Sequence, residues 1–126
     1  LAPRLLATRV PVVIDHMGRA PAALGAEHAG VQTLVRLLRE GPVWVKLSGL
    51  ANVSDQGPGY EDVRAVHEAL LAAAPDRLVW GSDWPHTAQT TRRPDTASLL
   101  QRFRDWTPPA EQARIGIDNA RRLYGF

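Results

Sequence analysis

Three short apolar runs recur along the chain, and Val, Ile, Leu and Trp dominate them. Continuous apolar runs of this length are typical of strands in a parallel sheet that is covered on both faces. In the second run the side chains alternate, so that Lys46 and Ser48 lie on the face opposite Val45. The predicted strands are 10–14, 43–49 and 78–82.

Amphipathic stretches separate the strands. Apolar residues at helical spacing predict helices that Gly41-Pro42 and Pro75 end. The predicted helices are the tail of one within 1–9, helices at 29–40 and 61–74, a helix capped by Asp95 or Thr96, and a last helix capped by Thr107. The polar stretch 50–59 is too long for a simple connection, which predicts a ligand-binding or disordered loop, and 87–94 is predicted to be polar and turn-like.

Strands and helices in this order predict an α/β fold with parallel strands joined by right-handed crossovers. A small doubly wound sheet and part of a (β/α)8 barrel both fit this order. Polar groups follow the first and third strands, at Asp15-His16 and from Asp83 to His86. Such groups at the carboxyl ends of several strands are typical of barrel enzymes, which favours the barrel. A barrel needs about 250 residues, so these 126 would form only part of one.

Composition narrows the classes of function. The 126 residues, 44% of them hydrophobic, suffice for one domain. Because there is no cysteine, disulfides, thiolate metal ligands and a cysteine nucleophile are excluded. The formal charge is only +2 and no basic tract exceeds two residues, so no nucleic-acid partner is predicted. No apolar run approaches the ~20 residues of a membrane span, so no membrane partner is predicted and a cytoplasmic location is the default expectation.

The common catalytic motifs are absent, and two titratable residues remain. No glycine-rich phosphate loop follows a strand, the second His of a zinc helix is missing after His67-Glu68, and there is no G-x-S-x-G elbow. His16 and Asp83 follow strands that could lie two apart in one sheet. A carboxylate that emerges from an apolar strand is a candidate functional group, although Asp83 could also cap the next segment or pair with an arginine.

Four segments together resemble the amidohydrolase-2 family, and most closely its branch of 2-pyrone-4,6-dicarboxylate lactonase and related sugar lactonases. They are Val13–Arg19, Val45–Gly49, Leu78–His86 and Asn119–Phe126. The resemblance implies that residues 1–126 are the C-terminal part of a (β/α)8 barrel, about strands six to eight with their helices. The family's His-x-His pair on the first strand would then lie in an N-terminal half that this chain lacks, and the fragment alone is expected to be inactive.

The resemblance implies a hydrolase that opens a lactone ring. Asp83 would activate the hydrolytic water, and His16 would help to polarise the substrate carbonyl. The chemistry agrees with these roles, since lactone hydrolysis needs a base for water and hydrogen-bond donors for the developing oxyanion. No cofactor is expected in this branch. The alternative is a metal-dependent amidohydrolase or decarboxylase, in which His16 and Asp83 would help to hold a divalent ion such as zinc in the intact parent.

Four further residues are candidates for binding a small-molecule lactone or carboxylate: Arg19, Asn52, His86 and Tyr60. Asn52 stands where members acting on aromatic-derived dicarboxylates commonly carry an arginine, so a neutral or sugar-derived lactone is comparably expected. Asp15 could orient His16 or make a structural hydrogen bond, and Lys46 within a strand requires a partner. Homo-oligomerisation is possible. A competing hypothesis of another class is a non-catalytic α/β interaction module.

Overall fold

The parallel sheet predicted from the sequence is present. The computed structural model describes residues 1–89 and 93–126. Three strands, β1 (Val12–Ile14), β2 (Val43–Leu47) and β3 (Leu78–Trp80), pair in parallel in the order β1-β2-β3. Ile14 lies opposite Val45, which in turn lies opposite Leu78. The strands that precede His16 and Asp83 therefore flank β2, two apart in one sheet as predicted.

The helices follow the predicted amphipathic stretches. The predicted helices at 29–40 and 61–74 are confirmed, the second with a 3-10 turn, Glu61–Val63, as its first part. A π-helical turn, Arg114–Asp118, joins the last two helices. The α-helices are α1 (Ala2–Leu6), α2 (Ala29–Glu40), α3 (Leu50–Val53), α4 (Arg64–Ala73), α5 (Thr96–Trp106), α6 (Pro109–Ala113) and α7 (Asn119–Tyr124). Further 3-10 turns span His16–Arg19, Ala22–Leu24 and Pro75–Arg77.

Several details differ from the sequence-based expectation. The first strand begins at Val12, and Val10 is 63% exposed instead of paired. The second and third strands end at Leu47 and Trp80, each two residues before the predicted end. The stretch 50–59 is not wholly a loop, because its first residues form α3. Thr107 does not cap the last helical region: it ends α5, and its hydroxyl is hydrogen-bonded to His67 Nε2 at 2.9 Å. Of the predicted turn 87–94, residues 90–92 lie outside the described part of the chain.

Asp95 caps α5 as predicted. Its Oδ2 accepts hydrogen bonds from the Ser98 backbone N–H at 2.9 Å and from the Ser98 hydroxyl at 2.7 Å. These hydrogen bonds stabilise the carboxylate and hold the pKa of Asp95 below its ordinary value. The cap thus fixes the start of the helix that follows the loop carrying Asp83 and His86.

The direction in which the sheet grows determines where the helices lie. Each strand is added on the same side of the previous one, and right-handed crossovers then place successive helices on one face of the sheet. The side chains of Val43, Val45 and Leu47 on that face are at most 2% exposed and belong to the core. A doubly wound sheet reverses direction to cover both faces, so this arrangement favours part of a barrel.

The other face of the sheet carries charge. Lys46 Nζ lies 2.7 Å from Asp15 Oδ1, which confirms that a lysine within this strand has a partner. The hydrogen bond to Asp15 raises the pKa of Lys46 and outweighs the opposite effect of burial, so Lys46 keeps its positive charge at neutral pH. Nearby, the Arg122 guanidinium lies 5.0 Å from the centre of the Trp44 ring. Asp15 is therefore held by β2 and does not orient His16 directly.

No helix within the described residues is both long and apolar enough to cross a lipid bilayer.

His67, on α4, is packed into the core. It is 2% exposed, and its ring makes edge contacts with Phe103 and Trp106. Burial lowers the pKa of His67 to about 4, because the charged imidazolium would lose its hydration there. His67 is therefore neutral in the folded protein at neutral pH.

Burial of His67 predicts an acid-sensitive stability. Below its ordinary pKa of 6.5 the unfolded chain binds a proton that the folded chain does not, so stability falls as the pH drops from about 6.5 to about 4. The loss amounts to roughly 3 kcal/mol. We expect His67→Gln to flatten the dependence of melting temperature on pH across this range. Thr107→Val is the matched control, because it removes the same hydrogen bond but leaves the imidazole. Equal slopes for His67→Gln and wild type would contradict the prediction.

Candidate active site

The site lies at the carboxyl ends of the three strands. The turn after β1 supplies His16, the residues after β2 supply Ser48, Gly49 and Asn52, and the loop after β3 supplies Asp83. Strand β1 is partly buried, β2 and β3 carry fully buried side chains, and each strand is followed by a polar segment. The three polar segments meet at one edge of the sheet because the strands are parallel and in register.

The two residues singled out from the sequence face each other. His16 Nε2 lies 3.5 Å from Asp83 Oδ1, with side chains that are 21% and 23% exposed. Both residues adopt left-handed backbone conformations, with φ of +53° at His16 and +63° at Asp83. Such values are uncommon for residues other than glycine and concentrate at functional sites. The two residues that the sequence placed after strands two apart thus lie side by side, and both remain partly open to solvent.

Ser48 holds the far side of the imidazole. Its hydroxyl lies 2.9 Å from His16 Nδ1, and the residue is only 3% exposed. Sequence analysis did not select Ser48 as a site residue. The sequence did contain a sign of its position, because the alternation of side chains placed Ser48 on the same face as Lys46, near the end of the predicted strand 43–49.

Asn52 holds the far side of the carboxylate. Asn52 Nδ2 donates to Asp83 Oδ2 at 3.0 Å, while Gln89 Nε2 donates to Asn52 Oδ1 at 3.4 Å and to the Ala51 carbonyl at 2.9 Å. Asn52, which the sequence suggested as a substrate-binding residue, therefore contacts Asp83. Gln89 was missed by sequence analysis, and no motif or spacing marked it.

Gly49 lies between these two contacts and leaves no room for a side chain. Its φ is +63°, in the left-handed region. A Cβ atom at this position would lie 2.6 Å from His16 Nδ1 and 2.8 Å from Asn52 Nδ2. Both the backbone conformation and the close approach of the site residues therefore require glycine.

Each of the remaining candidates lies in the connection that follows one of the three strands. Arg19 is exposed, with φ of +52°, and makes no ion pair within the described residues. His86 is 5% exposed; its backbone N–H donates to the Asp83 carbonyl at 2.8 Å, and its ring lies 3.4 Å from the Thr96 hydroxyl. Tyr60 is 8% exposed within the core and borders a cavity that Arg93 also lines. Nothing in these contacts tests a role in binding substrate.

The donor set for a metal is small. In the part of the chain that the structure describes, no three histidine, cysteine or acidic side chains come together as a metal site. His16 and Asp83 are the two that approach each other at the strand ends. A catalytic zinc takes three protein ligands and keeps one position open, so this pair could supply part of such a site and not all of it.

The arrangement suits base-assisted attack by water. A carboxylate with one oxygen held by Asn52 keeps its other oxygen available to accept a proton. The imidazole opposite can donate a hydrogen bond to an oxygen that gains negative charge. These are the elements required for hydrolysis at a carbonyl.

Parallel strands, helices on one face and polar groups at the carboxyl ends define a class of α/β protein whose sites lie on strand-end loops. The family model Amidohydro_2, described as Amidohydrolase, matches residues 5–126. The chain belongs to this family, which confirms the resemblance seen in its sequence.

Similar proteins act on lactones and related rings. A 4-sulfomuconolactone hydrolase of Hydrogenophaga intermedia is 40% identical, over 99% of this chain and 42% of that protein. A D-galactarolactone isomerase of Agrobacterium fabrum is 32% identical, over 97% of this chain and 43% of that protein. A 2-pyrone-4,6-dicarboxylate hydrolase of Comamonas testosteroni is 33% identical, over 90% of this chain and 40% of that protein. These names confirm the lactonase branch identified from the sequence.

A solved structure shares the fold. The apo crystal structure of an Agrobacterium tumefaciens protein superimposes with a TM-score of 0.86 at 31% identity, covering 99% of this chain and 45% of that one. The chain therefore spans less than half the length of the relatives that it matches.

Gly49→Ala tests the crowding at the strand end. The left-handed backbone alone costs roughly 1–2 kcal/mol with alanine. Gly125→Ala is the matched control, because Gly125 has a similar φ of +73° but no atom within 4 Å of an added Cβ. We expect Gly49→Ala to lower the melting temperature more than Gly125→Ala does, and its crystal structure to show the His16 ring or the Asn52 amide displaced. Equal losses with unmoved side chains would contradict the crowding.

Proposed function

We propose that the whole protein containing this chain hydrolyses a lactone, with Asp83 as general base and His16 as hydrogen-bond donor to the carbonyl oxygen. The contact of 3.5 Å between His16 Nε2 and Asp83 Oδ1, at the carboxyl ends of two parallel strands, is the observation that carries this proposal. Membership of the amidohydrolase family and the names of the similar proteins support it.

The proposed reaction has two steps. Asp83 Oδ1 takes a proton from a water molecule while the oxygen of that water attacks the lactone carbonyl carbon. His16 Nε2–H then donates a hydrogen bond to the resulting oxyanion and stabilises it. The carbonyl then re-forms, the bond to the ring oxygen breaks, and the proton on Asp83 passes to that leaving oxygen. The products are one hydroxyl and one carboxylic acid on the same opened molecule. Donors from the remainder of the barrel would complete the oxyanion site.

The family resemblance implies a particular place for this chain in the barrel. We assign β1, β2 and β3 to about the sixth, seventh and eighth strands of a (β/α)8 barrel, and three consecutive parallel strands with helices on one face are compatible with that assignment. The assignment makes Asp83 the residue that follows the last strand. Arg19, His86 and Tyr60 remain proposed contacts for a lactone or carboxylate substrate around the same strand ends.

We propose that this hydrolysis needs no metal. The described residues offer a base and a donor already paired to each other, with Ser48 and Asn52 occupying their outer atoms. The competing proposal is a metal-dependent amidohydrolase in which His16 and Asp83 join ligands from the remainder of the barrel.

Substitution of the base tests the proposed role of Asp83. In the whole protein, we expect Asp83→Asn to lower kcat/KM for a lactone by about 10²–10⁴, because the amide cannot accept the proton from water. The exposed Asp118→Asn is the matched control. Substrate loss and acid release should be followed together in a pH-stat, since hydrolysis releases a proton and isomerisation of a lactone does not. Full activity in Asp83→Asn would rule out the role, and substrate loss without acid would rule out hydrolysis.

Metal removal separates the two proposals for cofactor use. The purified whole protein is dialysed against a chelator, and a metal analysis of the sample checks that divalent ions have been removed. We expect the dialysed protein to keep its lactonase activity. Loss of activity that zinc restores would instead support the metal-dependent alternative, with His16 and Asp83 among the ligands.

A further inference from the structure

One short piece of chain contacts the side chains of both His16 and Asp83. Ser48, directly after β2, contacts His16 in the turn after β1, and Asn52, in α3, contacts Asp83 in the loop after β3. Only Gly49, Leu50 and Ala51 separate the two polar residues. We call residues 48–52 the strand-end segment. Because β2 lies between β1 and β3, this segment reaches both neighbours at once.

We propose that the strand-end segment positions both catalytic groups: Ser48 holds the His16 ring in the tautomer that carries its proton on Nε2, and Asn52 fixes which oxygen of Asp83 faces the reaction. Ser48 and Asn52 act through His16 and Asp83 and are positioning residues, without direct contact to substrate. The inference rests on the proposed lactonase function for its kinetic consequence, and on the geometry alone for the state of the imidazole.

The facing atoms determine the tautomer of neutral His16. Nε2 lies opposite a carboxylate oxygen, which can only accept a hydrogen bond, so the proton of the ring belongs on Nε2. Nδ1 is then an acceptor, and the Ser48 hydroxyl must donate to it. A buried hydroxyl with this partner stabilises the one tautomer that can donate to a carbonyl oxygen.

The amide of Asn52 is oriented by its own partner. Gln89 Nε2 donates to Asn52 Oδ1, which leaves Asn52 Nδ2 to point at Asp83 Oδ2. The second contact of Gln89, to the Ala51 carbonyl, ties the loop after β3 to α3. Oδ2 is thereby occupied, and Oδ1 is the oxygen that remains on the side of His16. This contact also explains how Asn52 can contribute to the site without binding substrate.

The Asn52 contact predicts a specific kinetic pattern in the whole protein. We expect Asn52→Leu to lower kcat by about 10- to 100-fold, the effect of losing a hydrogen bond to a charged group, with KM changed less than threefold. Gln89→Leu should show the same pattern more weakly, and adding it to Asn52→Leu should cost nothing further, because Gln89 acts through Asn52. Gln101→Leu is the matched control, since Gln101 donates to a carboxylate, Asp105, on the exposed face of α5. A raised KM with unchanged kcat in Asn52→Leu would overturn the positioning role and restore a substrate contact.

The Ser48 contact is tested without substrate. ¹⁵N NMR of the whole protein labelled on histidine, with His16 assigned by loss of its signals in His16→Gln, reports which ring nitrogen carries the proton. We expect a protonated Nε2 and a hydrogen-bonded, unprotonated Nδ1, whose resonance moves towards that of a free acceptor in Ser48→Ala. Ser54→Ala, which removes a hydroxyl bonded to Asp62, should leave it unmoved. A protonated Nδ1, or no change in Ser48→Ala, would overturn the inference. Because this readout needs no turnover, it stays informative if lactonase activity is absent.

Discussion

The structure depends on the burial of β2 between two parallel neighbours. Its odd-numbered side chains, Val43, Val45 and Leu47, are at most 2% exposed, and its backbone is paired on both edges. That pairing fixes the register of β1 and β3, and therefore the distance between the residues that follow them. His16 and Asp83 lie 67 positions apart in the sequence and 3.5 Å apart in space because one strand separates their strands.

Much of this arrangement could be predicted from residue patterns. Apolar runs and helical spacing predicted the strands and the main helices, and the position of Asp15-His16 and Asp83 after strands predicted where they meet. The boundaries were less predictable. A threonine before two prolines reads as a cap, yet Thr107 lies where the hydroxyl can reach the buried His67, and this tertiary contact decides its role. A polar stretch after β2 reads as loop, but Leu50 and Val53 are 8% exposed and pack into the core as one helical turn.

The approach of His16 and Asp83 to each other was predictable, and the contacts that support them were not. Titratable residues at strand ends are conspicuous in a sequence, whereas Ser48 and Gln89 belong to common residue types whose importance arises only from contacts 32 and 37 positions away. Asn52 was selected as a substrate contact because it stands where members of the family commonly carry an arginine, and its contact with Asp83 appears only once α3 is folded. Contacts between residues so far apart in the sequence produce no periodic pattern of residues from which they could be predicted.

The conformation of Gly49 has a consequence for changing the substrate range of such enzymes. Loops at the strand ends are the natural targets for randomised libraries and loop exchange, since they carry specificity in barrel enzymes. Here Ser48 and Asn52, two of the first five residues after β2, contact His16 and Asp83 respectively, and Gly49 lies against both contacts. An exchanged loop that replaces residues 48–52 therefore removes the support of the pair, whereas diversification that begins after Val53 leaves those contacts in place. The connection after β2 thus contains one part that holds His16 and Asp83 and another part that can vary.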